Sequence, residues 1–122
     1  MKNLKKKLRT EGDKLWQQAI IKKHGKQCEI CKKKDVHCHH IFPKGLYGHL
    51  RFDVENGTPL CFYCHFSRCH KGDPAIIQKI IKLRGKRWWN RLEKKSQEKP
   101  KKNYLTNGCY KDIFKKLKKY EN

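Results

Sequence analysis

Four of the seven cysteines in this chain fall in two close pairs that could bind a metal ion. Cys28 and Cys31 form the first pair, Cys61 and Cys64 form the second, and two residues separate the cysteines of each pair. Two such pairs supply four thiolates, the ligand set of a tetrahedral structural zinc site with no open coordination position. The spacing therefore predicts one structural Zn²⁺ ion, held by all four of these side chains.

A group of histidines lies inside the long insertion between the two cysteine pairs and just after it. The insertion carries the run HCHHIFP over residues 37–43 and, further on, Asn56, while His65 directly follows the second pair. Neutral imidazole can accept a proton or bind a metal ion near pH 7, so these side chains could activate water or hold a divalent ion. The alternative is that His37, Cys38 or His39 is a further zinc ligand in a finger without catalytic activity.

Charge and composition narrow the class of partner. Lysine and arginine number 32 against 11 aspartates and glutamates, which gives a formal net charge of +21. Nucleic acid is the first partner that this charge predicts, ahead of an anionic membrane surface. No apolar run approaches the roughly 18 residues of a membrane-spanning helix, and the first residues lack the apolar segment of a secretory signal. An odd cysteine count without such a signal favours reduced thiols and a cytoplasmic protein.

Local patterns predict the elements that would position these groups. A helix is expected from Asp13, as its N-cap, to about Gly25, with a basic tail before it over residues 1–12. A short strand over 36–42 and a return strand over 58–60 would enclose a glycine-bearing loop, and a short helix would follow from Cys64 to about Cys69. The histidine group would then lie on a hairpin and on the helix after it.

Three further helical segments are expected in the second half of the chain. Asp73-Pro74 indicates a helix start, and Gly85 would bend or end that helix before a second one. An amphipathic helix is predicted after Pro100. We therefore expect a domain over 13–99 and a basic amphipathic extension over 100–122. The three tryptophans, at helical spacing, favour core positions over base stacking: Trp16, Trp88 and Trp89.

Together these motifs resemble the HNH endonuclease family. The pattern that carries the resemblance is C-x2-C, then His-His-Ile-x-Pro, then Asn-x3-Leu-Cys-x2-Cys-His, within about residues 15–95. The chain is similar to small phage and prophage HNH proteins, some of which are recombination endonucleases. The resemblance implies an α+β fold: a small ββα-metal core with a four-cysteine zinc knuckle, flanked by N- and C-terminal helices.

The resemblance also implies a role for each member of the histidine group. His40 would be the general base, and Asn56 would brace the hairpin loop. His39 and His65 would bind the catalytic ion, Mg²⁺ or Mn²⁺. His70 is a candidate third ligand, although the family more often has that ligand four residues after the helix histidine, where this chain has a cysteine.

We therefore expect a metal-dependent endonuclease that cleaves DNA by nicking or structure-specific cutting, in phage recombination or other DNA processing inside a bacterial or phage-infected cell. RNA is left open as a substrate, and the oligomeric state is not predicted. The alternative is a non-catalytic, zinc-ribbon-like nucleic-acid-binding protein. The basic side chains expected to contact phosphates are Lys79, Lys82, Arg84, Lys86, Arg87 and Arg91.

Overall fold

The computed structural model describes residues 2–69, 74–98 and 107–120, which form a small α+β structure with a two-stranded sheet. Its elements, in chain order, are helix α1 (Lys2–His24), strand β1 (Val36–His40), strand β2 (Gly57–Cys61), a π-helix (Tyr63–Cys69), and helices α2 (Pro74–Arg84), α3 (Lys86–Gln97) and α4 (Asn107–Lys118). Within these ranges, no helix is long and apolar enough to cross a membrane.

Helix α1 begins at Lys2, so residues 2–12 are helical and the predicted start at Asp13 was wrong. Lysine, leucine and arginine are good helix formers, and they outweigh the single glycine in this stretch. Gly12 also has a packing reason, because a Cβ atom there would lie 2.6 Å from Cε1 of Phe52. Asp13 does not cap the helix; its carboxylate accepts two hydrogen bonds from the guanidinium of Arg51.

Strands β1 and β2 form the predicted hairpin as an antiparallel pair. Val36 lies opposite Cys61, and His40 lies opposite Gly57. Every residue of β2 is buried, because α1 covers it on one side. A Cβ atom at Gly57 would overlap the side chains of Trp16 and Ile20, so glycine at this position lets α1 lie directly against the hairpin.

The buried side chains form two clusters. The first surrounds the cysteines and comprises Cys28, Leu50, Leu60, Cys61, Cys64, Ile76, Ile80, Trp88 and Leu92. The second joins α1 to α4 and comprises Leu15, Trp16, Ala19, Ile20, Phe52, Tyr110 and Leu117. The described part of the expected 100–122 extension therefore packs on α1, because its apolar stripe covers the face of α1 that Trp16 and Ile20 present.

Replacement of Leu117 by alanine should destabilise the protein by about 2–5 kcal/mol, because it empties a buried position between α4 and α1. Lys111→Ala, an exposed change on the same helix, should alter the free energy of unfolding by less than about 0.5 kcal/mol. Urea denaturation of the two variants and the wild type measures the difference. Equal stability of the two variants would show that α4 does not pack on α1.

Candidate metal centre and histidine site

The four paired cysteines meet in one cluster. Their sulfur atoms all lie within 4.8 Å of one another. A tetrahedral zinc ion with Zn–S bonds of about 2.3 Å needs sulfurs about 3.8 Å apart. The sulfurs of Cys31 and Cys61 are 3.4 Å apart, which is far longer than the roughly 2.05 Å of a disulfide bond. The cluster therefore has the ligand types and spacing that a structural zinc ion requires.

Backbone N–H groups shape both halves of the cluster. The N–H of Cys31 donates to the sulfur of Cys28, and the N–H of Cys64 donates to the sulfur of Cys61, each at 3.5 Å. Burial raises the pKa of the Cys28 thiol, but backbone donors, that of Cys31 first, outweigh burial and lower the pKa to about 7. Burial and the neighbouring sulfurs raise the pKa of Cys64. The negative charge of one thiolate thus disfavours ionisation of a neighbouring thiol. A divalent cation would stabilise the thiolate form of all four cysteines.

Glu29, between the first two cysteines, ties the cluster to β2 and α2. Its backbone N–H donates to the carbonyl of Pro59 at 2.9 Å. Its carboxylate accepts the Thr58 hydroxyl at 2.6 Å and two N–H groups of Arg84 at 2.6 and 2.8 Å. Burial opposes ionisation of Glu29, but the hydrogen bonds from Arg84 and Thr58 outweigh burial and lower the pKa of Glu29. The segment that carries the first cysteine pair is therefore fixed by a buried ion pair.

This ion pair corrects one of the predicted phosphate contacts. The side chains of Arg84 and Glu29 are only 9% and 10% exposed, and Arg84 also donates to the carbonyl of Gly57 at 2.7 Å. Arg84 is therefore a structural residue and does not belong to the exposed basic surface. Arg91 is exposed but pairs with Glu55 at 3.2 Å. The other four predicted contact residues are exposed: Lys79, Lys82, Lys86 and Arg87.

Strand β1 directs alternate side chains to opposite faces of the hairpin. On the face towards the π-helix, the ring centroid of His39 lies 4.6 Å from that of His65, with the rings inclined at 61°. On the face towards α1, the thiol of Cys38 donates to the carbonyl of Gln17. His40 also lies on the α1 face, so the structure brings His39 and His65 together and holds His40 on the other side. His70 lies outside the described residues.

The ring of His40 is fixed by a stacking contact and a hydrogen bond. It stacks on Trp16 with centroids 4.0 Å apart and planes within 3° of parallel. Its Nε2 atom lies 2.9 Å from the carbonyl oxygen of Arg51. A carbonyl can only accept, so the neutral ring carries its hydrogen on Nε2, and Nδ1 keeps a lone pair. Burial lowers the pKa of His40, which favours this neutral form.

The support of His40 continues into α1 through Arg51 and Trp16. The guanidinium of Arg51 donates to both carboxylate oxygens of Asp13, at 2.9 and 2.7 Å. The indole N–H of Trp16 donates to the carbonyl of Asp53 at 2.9 Å. Trp16 is buried, as its spacing predicted, but nothing in the sequence indicated its stacking on His40. Asp13 and Arg51 were likewise missed, because their partners are far apart in the chain.

Asn56 closes the loop between the strands. Its side-chain oxygen accepts the N–H of Phe42 at 2.7 Å, and its side-chain nitrogen donates to the carbonyls of Phe42 and Leu50, both at 3.1 Å. The backbone carbonyl of Asn56 also accepts the N–H of Ile41. The side chain is fully buried, so all of these bonds are shielded from water. One amide therefore joins the two ends of the loop that presents Arg51 to His40.

A half-buried histidine that the sequence analysis did not single out lies at the end of α1. Nε2 of His24 is buried and has no hydrogen-bond partner among the described residues. Burial, then the charge of Arg84, lowers the pKa of His24 to about 4, although Glu29 acts in the opposite direction. The folded protein therefore holds this ring neutral at pH 7. His24 lies beside the ion pair that fixes the first cysteine pair.

Comparison of the chain with family models, with curated proteins and with solved structures finds no match. Among the residues described, the four cysteines are the one group of three or more potential ligands close enough to hold an ion.

The wild-type protein should contain one zinc ion per chain, and Cys61→Ser should lose it. Loss of the ion should lower the melting temperature, because the three cysteines that remain in the cluster then lose their metal bonds. Cys38→Ser is the matched control, since Cys38 lies outside the cluster and serine keeps its donor group. Metal analysis and thermal denaturation by circular dichroism measure both quantities. Full zinc content in Cys61→Ser would contradict the assignment.

Stability should fall as the pH drops from about 6.5 to about 4, partly through His24. The unfolded state takes up a proton near the ordinary histidine pKa of 6.5, whereas the folded state does so only near pH 4. The unfolded state thus binds more protons over this window. His24→Gln should make the free energy of unfolding less dependent on pH over this window. His37→Gln, at an exposed position, is the control. Unfolding curves across the window that are identical for His24→Gln and wild type would refute this role.

Proposed function

We propose that the chain is a metal-dependent endonuclease of the HNH type that hydrolyses phosphodiester bonds of DNA. The observation that carries the proposal is the 2.9 Å contact between Nε2 of His40 and the carbonyl of Arg51. Because this contact assigns the ring hydrogen to Nε2, Nδ1 is available to take a proton from water. A general base acts through such a lone pair.

The surroundings of His40 favour a base held in a fixed orientation. Trp16 sets the plane of the ring, and Asn56 holds the loop that carries the accepting carbonyl. Asp13 anchors Arg51 to α1, so the carbonyl is fixed from outside the loop as well. A catalytic group gains most when packing and surrounding hydrogen bonds fix it before the substrate binds.

His39 and His65 are the residues that would hold the catalytic ion. They belong to different elements, and their ring centroids lie 4.6 Å apart with the planes inclined at 61°, which brings two potential nitrogen ligands close together. When bound, a divalent ion would supply charge neutralisation at the leaving oxygen of the phosphodiester. Mg²⁺ and Mn²⁺ remain our prediction, and Ni²⁺ and Zn²⁺ should be tested beside them because imidazole also suits these ions.

The opposite orientation of His39 and His40 limits how DNA could bind. Strand β1 ends at His40, so a phosphate that meets both side chains has to cross that end of the hairpin. The net charge of +21 and the exposed basic side chains on α2 and α3 favour binding of the DNA backbone. Such contacts position DNA without reading its sequence. The proposal therefore predicts nicking or structure-specific cutting with little sequence preference.

A plasmid-nicking assay at low salt tests the proposal. The wild type should nick supercoiled plasmid in Mg²⁺ or Mn²⁺ and stay inactive in EDTA. His40→Ala should lose about 10²–10⁴-fold in rate, because the general base is removed. His49→Ala is the matched control, since Nε2 of His49 also contacts a backbone carbonyl, that of Lys95, outside the proposed site. Both variants should keep the zinc content of the wild type, and a cooperative thermal transition should show that each of them is folded.

The outcomes separate the two functions. Equal activity of His40→Ala and His49→Ala would contradict the assignment of the base. Binding without cutting by the wild type, on duplex, single-stranded and branched DNA and with every ion, would contradict the endonuclease. That second result would leave the zinc-ribbon-like nucleic-acid-binding protein as the better interpretation.

A further inference from the structure

Three aromatic side chains at the start of the π-helix are exposed. Phe62, Tyr63 and Phe66 are 64%, 57% and 41% accessible, and the rings of Phe62 and Phe66 lie 4.9 Å apart. We call these three residues the aromatic patch. Isolated apolar side chains on a surface are ordinary, whereas neighbouring exposed aromatic rings are candidates for a binding surface.

The aromatic patch adjoins the histidine pair. The ring of Phe66 lies 4.3 Å from that of His65, which in turn contacts His39. The ring of His37 lies 6.5 Å from Phe66 and inclines at 76° to it. A ligand on the aromatic patch would therefore extend directly to the side chains that we propose to hold the catalytic ion.

Positive charge lies at the end of the molecule that carries the aromatic patch. The sulfur of Cys31 is 3.4 Å from that of Cys61, the residue before Phe62. Three exposed lysines, Lys32, Lys33 and Lys34, follow Cys31 directly, so they lie at the same end of the molecule as Phe62. A ligand with flat apolar faces and a negatively charged backbone matches this combination of rings and lysines.

We propose that the aromatic patch stacks against unpaired nucleobases, so that single-stranded DNA is the ligand of this surface. Bases in an intact duplex are stacked on each other and cannot offer their faces to protein rings. The centroids of the Phe62 and Phe66 rings are only 4.9 Å apart, which leaves no room for a base between them, so a base would stack on an outer face of a ring. This inference rests on the proposed function, which it deepens by naming the substrate class: single-stranded stretches next to the cutting site.

Fluorescence anisotropy without added divalent ions measures binding apart from cutting. The probes are a labelled single strand, the duplex of the same sequence, and a strand with abasic sites. The double variant Phe62→Ala/Phe66→Ala should lose about tenfold or more in affinity for the single strand and much less for the duplex. The wild type should bind the abasic strand as weakly as the variant binds the normal strand.

Two further variants keep the test decisive. Leu83→Ala removes a side chain of α2 that is also exposed, at 61%, and should leave single-strand affinity unchanged. Phe62→Tyr/Phe66→Tyr keeps both rings and should retain wild-type affinity. Zinc content and melting temperature check that every variant is folded. Wild-type affinity in the double alanine variant, or an equal loss in Leu83→Ala, would overturn the proposal.

Other occupants give different results. If the double alanine variant lost binding to phosphatidylserine vesicles but kept its affinity for the single strand, the aromatic patch would be a membrane-binding surface. That result would overturn the proposal. If single-strand binding depended on the two phenylalanine rings but the wild type cut no DNA, the stacking proposal would stand. The endonuclease proposal would then be contradicted. If the wild type cut DNA but the double alanine variant bound the single strand equally well, the endonuclease proposal would stand. The stacking proposal would then be contradicted.

Discussion

The four-cysteine cluster is the constraint on which the rest of the structure depends. It joins the turn after α1 to the end of β2 and to the π-helix, and three of its four cysteines form part of one of the two buried clusters. A chain of 122 residues with a net charge of +21 repels itself and has little core to offset that repulsion. Four bonds to one ion would hold the hairpin and the π-helix at a fixed distance, which sets the separation of His39 and His65.

The second organising contact lies at the opposite end of the hairpin, where Arg51 links three elements. Its carbonyl meets Nε2 of His40, its guanidinium binds Asp13 of α1, and its loop is closed by Asn56. Helix α1 contributes twice, since Trp16 also stacks on the ring of His40. The packing of α4 on α1 thus supports the position of His40 from outside the hairpin.

Much of this arrangement could be predicted from local patterns. The cysteine spacing predicted the cluster, the turn and proline signals predicted the hairpin and the start of α2 at Pro74, and Gly85 separated α2 from α3. Contacts between distant residues could not be predicted in this way. The pairing of Arg84 with Glu29, the stacking of Trp16 and the burial of His24 depend on how the elements pack, for which no local pattern exists.

We propose His40 as a neutral base with its hydrogen on Nε2, and nitrogen-15 NMR of the imidazoles measures the position of that hydrogen. A long-range proton–nitrogen correlation spectrum of the zinc-loaded protein at pH 7, assigned with His40→Ala, distinguishes the two tautomers and the charged ring. We expect a protonated Nε2 and an unprotonated Nδ1, as the contact with the carbonyl of Arg51 requires. A hydrogen on Nδ1, in the neutral or the charged ring, would contradict it.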